Sequence, residues 1–537
     1  MRVLFYNWVQ YDDPERRGGG IRHYQQNLID HLSRDTDHDV TVLSSGLEHD
    51  ALNRQIRIEK TENSHPDRVR SFTLVNSLVP APGHHAFGSP WLFDDDGMLT
   101  VWHQFLVEHG PFDVIQFDSL EGIPFTFLRV HEQLPDAKVV LYAHNYYMLC
   151  PQVNLWKREL THCTDFRQGR DCVSCIPQPA NSREVVRAHQ LSRVLRTIGV
   201  VPGTRRYRYC YQLYGQLRRV RRLVGRIGKA TRNLFKSSRA TPARAASNGH
   251  VSSGKPGSPP TLLSLRDVSE APTGRSTPPV FVERRTRGLE LINQETDLVL
   301  ATSLRVKEVL SDYGVSAEKI AVSYIGTRAA ETAELDNRRK KLNEPSQLSI
   351  AYLGYARADK GFPFLLEALE RCPDEIRSRL RLVVAALGAD SMTLRRLETL
   401  ADAMVDVEYC AGYSHDQLPK LLETADVGVV PVQWEDCLPQ VAIEMVANGL
   451  PIITSHRGGA KELGGSNSSF VFTANSQSEL IDIWRRLLES ELLPGDFWDT
   501  AGDLVTMKNH LGRLMRLYRT GVADDRHLSH SATASGE

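Results

Sequence analysis

The sequence predicts an α/β protein made of two Rossmann-like units that face each other across a cleft. Three observations predict it. The chain has 537 residues, too long for one hydrophobic core, which points to two large domains with additions. Short apolar runs alternate with helical patterns from the first residues, the rhythm of a parallel sheet covered on both faces. After a basic, low-complexity interruption, the same rhythm starts again near position 347. Open sheets of this kind bind ligands outside the carboxyl ends of their strands, so chemistry is expected in the loops there.

The elements follow in order. "RVLFY" (2–6) reads as a buried strand. "GIRHYQQNLIDHLSR" (20–34) has apolar residues at 21, 24, 28, 29 and 32, a helical spacing. "HDVTVLSS" (38–45) is the next strand. "FDVIQFDS" (112–119) and "AKVVLYAHN" (137–145) are strands on either side of a helix around 123–133. From about 181 the texture changes. The span Arg183–Arg244 holds seventeen Lys and Arg against one acid, Glu184. "ATPARAASNGHVSSGKPGSPP" (240–260) is rich in Ala, Ser, Gly and Pro and reads as disordered. Order resumes near Phe281. "TDLVLATSLRVKEVLSDYGV" (296–315) is a strand and then a helix ending near Gly314, and "KIAVSYIGT" (319–327) is a strand. In the second unit, "LSIAYLGYARADKGFPFLLEALERC" (348–372) is strand, loop and helix. Strands follow at 380–388, 405–413, 426–432 and 450–455, with helices at 416–425, 438–449, 477–490 and 502–521.

Bulk properties narrow the class. Hydrophobic content of 41% and charged content of 24% are those of a soluble globular protein. The formal net charge is zero, so no global attraction to polyanions follows. The opening "MRVLFYNWVQ" lacks the pattern of a signal peptide. No apolar run reaches the ~18 residues of a membrane span. A cytoplasmic setting is expected, and most of the eight cysteines are scattered in keeping with a reducing one.

Four stretches carry chemistry. "RRGGGIRHYQQNL" (16–28) sets three glycines between a strand and a helix, where backbone N–H groups and the helix terminus can meet an anion. A plain turn is the alternative, and the spacing is not a dinucleotide fingerprint. "GYARADKGF" (354–362) puts Arg357 and Lys360 at a sheet mouth, which suits a diphosphate as well as a solvated loop. In "WEDCLPQVAIEMVANGLP" (434–451), Glu435 and Asp436 lie in the loop after a buried strand. Pro439 suits the first turn of the next helix. Glu444 falls between Ile443 and Met445, where an unpaired acid is costly to bury. Two adjacent hydroxyls, as on a ribose, would satisfy it; an internal partner is the alternative. Lastly, Cys172-x-x-Cys175 has zinc-knuckle spacing, and Cys150 and Cys163 could complete four thiolates around a structural zinc. Free thiols are an equal alternative and disulfides a lesser one.

The basic segment 183–244 has tyrosines at 207, 209, 211 and 214 among its arginines. It suits an anionic membrane surface, or simply a solvated insertion. No nucleic acid is expected, because no supporting fold motif accompanies the charge.

Together these stretches resemble the retaining nucleotide-sugar transferases of glycosyltransferase family 4. That family carries Glu, seven residues, Glu, and then Ala-x-Gly-x-Pro. This chain has Asp436, seven residues, Glu444, and then "MVANGLP", so Asp replaces the first Glu. "GGGIRHYQQNLIDHLSRDTDHDVTVLS", "DLVLATSLRVKEVLSDYGV", "GYARADKGF" and "HRGGAKELGG" (456–465) match other family segments in the right order. The resemblance covers roughly 1–150 and 290–520. It implies the GT-B fold, two facing Rossmann-like domains with a C-terminal helix returning to the first. It implies transfer of a sugar, with retention, from a nucleotide diphosphate-sugar to a glycan or lipid-linked glycan. No cofactor is required for that chemistry.

By position, Glu444 would hold the ribose and Asp436 would sit near the donor sugar. Arg357 and Lys360 would neutralise the diphosphate, and Gly19 and Gly20 would face it from the other domain. Gly354, Leu438 and Pro439 would complete the donor site, and His144 would contact sugar or acceptor. The implied organisation is a first domain part at 1–180, a basic, partly disordered insertion at 181–285, completion of that domain at 286–340 and a nucleotide-sugar domain at 345–500. A returning helix at 501–522 and a disordered tail at 523–537 follow. The Asp436 departure motivates a second reading, a catalytically silent glycan- or membrane-binding relative. A nucleotide-sugar epimerase on the same fold is a third. Peripheral attachment to the inner face of a membrane is expected through 183–244.

Overall fold

A computed structural model describes residues 1–521 apart from 35–36, 94, 159, 177–178, 217–276, 334–337 and 345. The first unit contains β1 (Arg2–Asn7), α1 (Gly19–Leu32), β2 (Asp39–Glu48), β3 (Arg57–Thr61), β4 (Val69–Val75), α2 (Asp96–His109), β5 (Val114–Phe117) and β6 (Lys138–Ala143). A small hairpin, β7 (Trp156–Lys157) and β8 (Thr161–His162), precedes α3 (Ser182–Thr197) and a helix α4 over 205–216. Then come α5 (Pro278–Glu295), β9 (Leu298–Ala301), α6 (Leu304–Asp312) and β10 (Ile320–Val322). The eight strands other than the hairpin form one sheet in the order β10-β9-β6-β5-β1-β2-β4-β3, parallel except for β3 against β4.

The second unit contains β11 (Leu348–Tyr355), α7 (Phe362–Arg371), β12 (Leu380–Leu387), α8 (Ser391–Ala401), β13 (Asp406–Cys410), β14 (Val427–Val430), α9 (Gln440–Ala447), β15 (Ile452–Ser455), β16 (Val471–Phe472) and α10 (Gln477–Leu488). Its six strands are all parallel, in the order β13-β12-β11-β14-β15-β16. The strands are nearly continuous apolar runs because both faces are covered; Leu348, Ile350, Ala351 and Tyr352 of β11 are all buried. Each sheet reverses its winding direction once, between β1 and β5 in the first unit and between β11 and β14 in the second. These are the switch points at which open α/β sheets leave a crevice.

The last helix, α11 (Met507–Thr520), packs on the first unit. Met507, Leu514, Leu517 and Tyr518 join Val3, Phe5, Tyr24 and Tyr142 in one apolar cluster. His510 Nε2 lies 2.8 Å from the Tyr24 hydroxyl, and the Tyr518 hydroxyl donates to Gln116 at 2.5 Å.

Several expectations change. The segment 123–133 is not a helix. Pro124 opens a short 3₁₀ turn, Phe125–Leu128, whose four side chains are all buried, and turns follow it. A stretch apolar on every side fills space and needs no helical stripe. β3, β4, α2 and α8 add to the elements read from the sequence. Part of the basic insertion is ordered: Asn181 caps α3, and Arg193 and Arg196 bind Glu59 and Glu48 at 2.8 and 2.6 Å. The first unit resumes at Pro278, ahead of position 286, with Phe281 and Arg284 buried. Residues 240–260 and the tail 523–537 lie outside the described residues.

Candidate active site

The loop leaving β11 makes a 3₁₀ turn, Ala358–Lys360, and enters α7 through Gly361. Gly361 has φ +73°, and a Cβ there would stand 1.7 Å from the Pro431 carbonyl oxygen. Only glycine lets this turn lie against the end of β14. The contact brings the two strands of the switch point together, and Lys360 Nζ donates to Asp436 Oδ2 at 2.7 Å. Burial works against the lysine charge, and Asp436 outweighs it and raises the Lys360 pKa. Arg357 behaves differently: it is exposed and pairs with Asp359 of its own turn at 2.8 Å.

The chain then enters α9 through Pro439, which stands at the N-cap without a capping side chain. Pro439 therefore precedes the helix instead of forming its first turn. The open helix end faces the glycine turn of the first unit, where Gln440 Nε2 donates to the Gly20 carbonyl at 2.9 Å. Gly18 and Gly19 both have positive φ there. Gly354 backs the same helix; a Cβ on it would lie 3.8 Å from Val441 Cγ1. Leu438 is buried in the cluster shared with the first unit.

Glu444 is buried on α9, and its partner is internal: the Tyr413 hydroxyl, from the loop after β13, donates to Oε2 at 2.6 Å. Oε1 faces His415 Nδ1 at 3.5 Å. Burial raises the Glu444 pKa, and Tyr413 and His415 pull against that rise. The same loop meets the first unit, since the rings of His415 and His23 stand edge to face at 6.4 Å.

His144, immediately after β6, lies against the rings of Tyr142 and Tyr24, at 4.3 and 4.6 Å. Its Nε2 faces Asp118 Oδ1 at 3.6 Å and makes no hydrogen bond among the described residues. Asp118 itself is buried and held by Gln25 and Gln116.

Comparison with known proteins fits this geometry. Residues 334–501 match the family profile described as glycosyl transferases group 1. Lipopolysaccharide 1,2-N-acetylglucosaminetransferase of Salmonella typhimurium is 29% identical over 167 residues, 29% of this chain and 44% of that protein. MMP alpha-(1->4)-mannosyltransferase of Mycolicibacterium hassiacum is 28% identical over 218 residues, 39% of this chain and 49% of that protein. The chain thus spans less than half the length of these relatives. Among solved structures, sucrose-phosphate synthase from Thermosynechococcus elongatus superposes with a TM-score of 0.52 at 15% identity, over 97% of this chain and 98% of that one. The fold is GT-B.

In this GT-B chain, sequence reasoning missed a junction between the two domains. Glu435 is fully buried. Arg305 of α6 reaches it from the other domain through two nitrogens, each at 3.0 Å, and Arg457 and the Gly458 amide add contacts at 2.8 and 2.9 Å. Burial acts to raise the carboxyl pKa, but these donors outweigh it and bring it to about 2. Gly458 is required for the approach, since a Cβ there would stand 2.1 Å from the Asp436 carbonyl oxygen. Glu462 crosses the same junction, accepting from the Leu304 and Arg305 amides at 2.9 and 2.8 Å at the start of α6. The only sequence signal was the Gly-Gly-x-x-Glu turn at 458–462.

The four cysteines lie in one neighbourhood as free thiols. Burial, with nearby thiols adding, pushes Cys163 up to about 11 and Cys172 to about 12. Cys172 and Cys175 pack against Phe87 and Phe281, and Cys175 Sγ contacts Gln152 at 3.4 Å. Among the described residues, no three His, Cys, Asp or Glu side chains are gathered closely enough to hold a metal.

Proposed function

We propose that this protein is a glycosyltransferase of the family 4 type, moving a sugar from a nucleotide diphosphate-sugar to a glycan or lipid-linked glycan with retention. One observation carries the reading: at the β11/β14 switch point, Lys360–Asp436, Glu444 and the uncapped start of α9 converge opposite the glycine turn at Gly18–Gly20. The helix end and Lys360 supply positive potential for a diphosphate, placed where negative charge develops as the bond to the sugar breaks. Glu444 offers carboxylate oxygens to ribose hydroxyls. Arg357 adds charge by swinging away from Asp359. His144 lines the acceptor side, and the chemistry needs no metal: the leaving phosphate takes the acceptor's proton.

A panel of UDP-, GDP-, ADP- and TDP-sugars in a thermal-shift assay tests the reading, because a ligand bound only by the folded state raises the melting temperature. Product analysis then separates transfer from epimerisation, which needs no acceptor. Glu444→Ala is expected to abolish transfer and keep the fold; full activity in that variant refutes the assignment. A panel without any binder favours the silent relative.

We also propose that the outer face of α3–α4 rests on an anionic membrane. Ile198, Val201, Tyr209 and Leu213 are exposed there, with Arg205, Arg206 and Arg208 in the same segment. The rest of the basic segment, 217–244, lies outside the described residues. Among the described residues no helix is long and apolar enough to cross a membrane. Co-sedimentation with phosphatidylglycerol vesicles, but not with phosphatidylcholine vesicles, is the expected result.

A further inference from the structure

The acid of α9 reaches the cleft with one oxygen already taken. Glu444 Oε2 accepts from the Tyr413 hydroxyl at 2.6 Å, while Oε1 has His415 Nδ1 at 3.5 Å, too far for a good hydrogen bond. Tyr413 is held from both sides. Before it, Gly412 has φ +87°, and a Cβ there would stand 2.8 Å from Leu387 Cδ2, so the loop folds tightly against the end of β12. After it, Ser414 and Gln417 form a capping box, the Ser414 amide donating to Gln417 Oε1 at 2.9 Å. The Tyr413 ring packs against the core of the second domain. A tyrosine fixed in this way keeps its hydroxyl aimed at one point.

The surroundings of the carboxyl say what that hydroxyl does. The Glu444 side chain is 10% exposed. Burial raises its pKa; Tyr413 and then His415 pull the other way. The groups behind these two are also in place: Tyr355 and Tyr352 of β11 act on Tyr413, and His23 of α1 meets the ring of His415. A hydroxyl that donates to a carboxylate favours the ionised form without bringing a charge of its own. An ionised carboxylate accepts at both oxygens, whereas a protonated one carries an O–H that loses an acceptor position. Ribose hydroxyls offered as donors are therefore met best by the ionised form.

We infer that Tyr413 is a positioning residue for the donor: its hydroxyl holds the Glu444 carboxylate by Oε2 and leaves Oε1 turned to the ribose. The inference rests on the transferase reading above, in which Glu444 meets that ribose.

The test is calorimetric titration with UDP, GDP and ADP, each beside its 2′,3′-dideoxy counterpart, between pH 5 and 9. It is run on the full chain and on its Tyr413→Phe and Glu444→Gln variants. The ratio of the two affinities isolates what the ribose hydroxyls gain, because charge changes on the phosphates or the histidines act on both ligands alike. In the wild type the ratio should reach at least about tenfold at high pH and fall as Glu444 takes up a proton. In Tyr413→Phe that fall should come at least about one pH unit higher, because a donor that favoured the charged form is gone. In Glu444→Gln the ratio should be small and flat. Affinity for the dideoxy ligand should be unchanged in Tyr413→Phe, which certifies its fold. A ratio in Tyr413→Phe that follows the wild type at every pH overturns the inference. So does an equal loss at every pH, or a loss for the dideoxy ligand, since Tyr413 then only supports its loop. A wild-type ratio near one, or a ratio unchanged in Glu444→Gln, overturns Glu444 as the ribose ligand. Failure of every nucleotide to bind the wild type overturns the transferase reading itself.

Discussion

Replacing Glu435 with Gln removes the charge at the junction of the two domains. A carboxyl held at about 2 instead of 4.5 contributes about 3 kcal/mol of stability at neutral pH. The sign follows from the depressed pKa: the contribution is present above about pH 4.5 and is lost as pH falls towards 2. Breaking a buried pair also strands Arg305 and Arg457, a cost of roughly 3–5 kcal/mol in such cases. Glu435→Gln is therefore expected to destabilise the protein by about 3 kcal/mol at pH 7, measured by equilibrium urea unfolding. Its stability should vary less than the wild type's between pH 4.5 and 3. A double-mutant cycle with Arg305→Met should show a coupling above about 1 kcal/mol, since the partners share hydrogen bonds. A loss under about 0.5 kcal/mol in Glu435→Gln, or a coupling near zero, refutes the account of this junction.

Glu444→Gln should raise the melting temperature of the ligand-free protein at pH 8 by about 2 °C, the response to roughly 1 kcal/mol in a domain of this size. Burial raises the Glu444 pKa, so the ionised form is penalised above it, and calorimetry should find the difference gone below pH 4.5. Gly361→Ala forces a left-handed alanine against the Pro431 carbonyl and should cost more than about 2 kcal/mol in urea unfolding. Lys360→Met should lower kcat by about 100-fold or more with Asp436 left unpaired, read in a transfer assay.

Much of the second domain was legible because its strands are apolar runs closed by turn residues, and α9 and α10 carry the helical period. Each of the loops after β11 and β14 was legible as a loop at a strand's carboxyl end, and only the family resemblance joined them; the strand order that brings them together is a feature of the fold. What local pattern does not hold was missed. Arg305 and Glu435 are 130 residues apart and signal nothing to each other along the chain. Tyr413 as the partner of Glu444 crosses 31 residues from a loop. Arg357 was grouped with Lys360, but a neighbouring Asp359 draws it outward. α2 has helical spacing at Met98, Leu99, Trp102, Phe105 and Leu106, and could have been read; the turn at 125–128, buried on all sides, has no period to read.

Helix α11 has a consequence for how the chain is made. Residues 507–520 complete the apolar cluster that Val3, Phe5 and Tyr24 begin, and Tyr518 closes on Gln116 across 402 positions. During synthesis the first domain waits, with one side of its sheet layer uncovered, until the whole second domain has left the ribosome. A chain cut short anywhere in that domain exposes Tyr24, Tyr142 and their apolar neighbours. The final helix thus makes the finished state of one domain report on the arrival of the other.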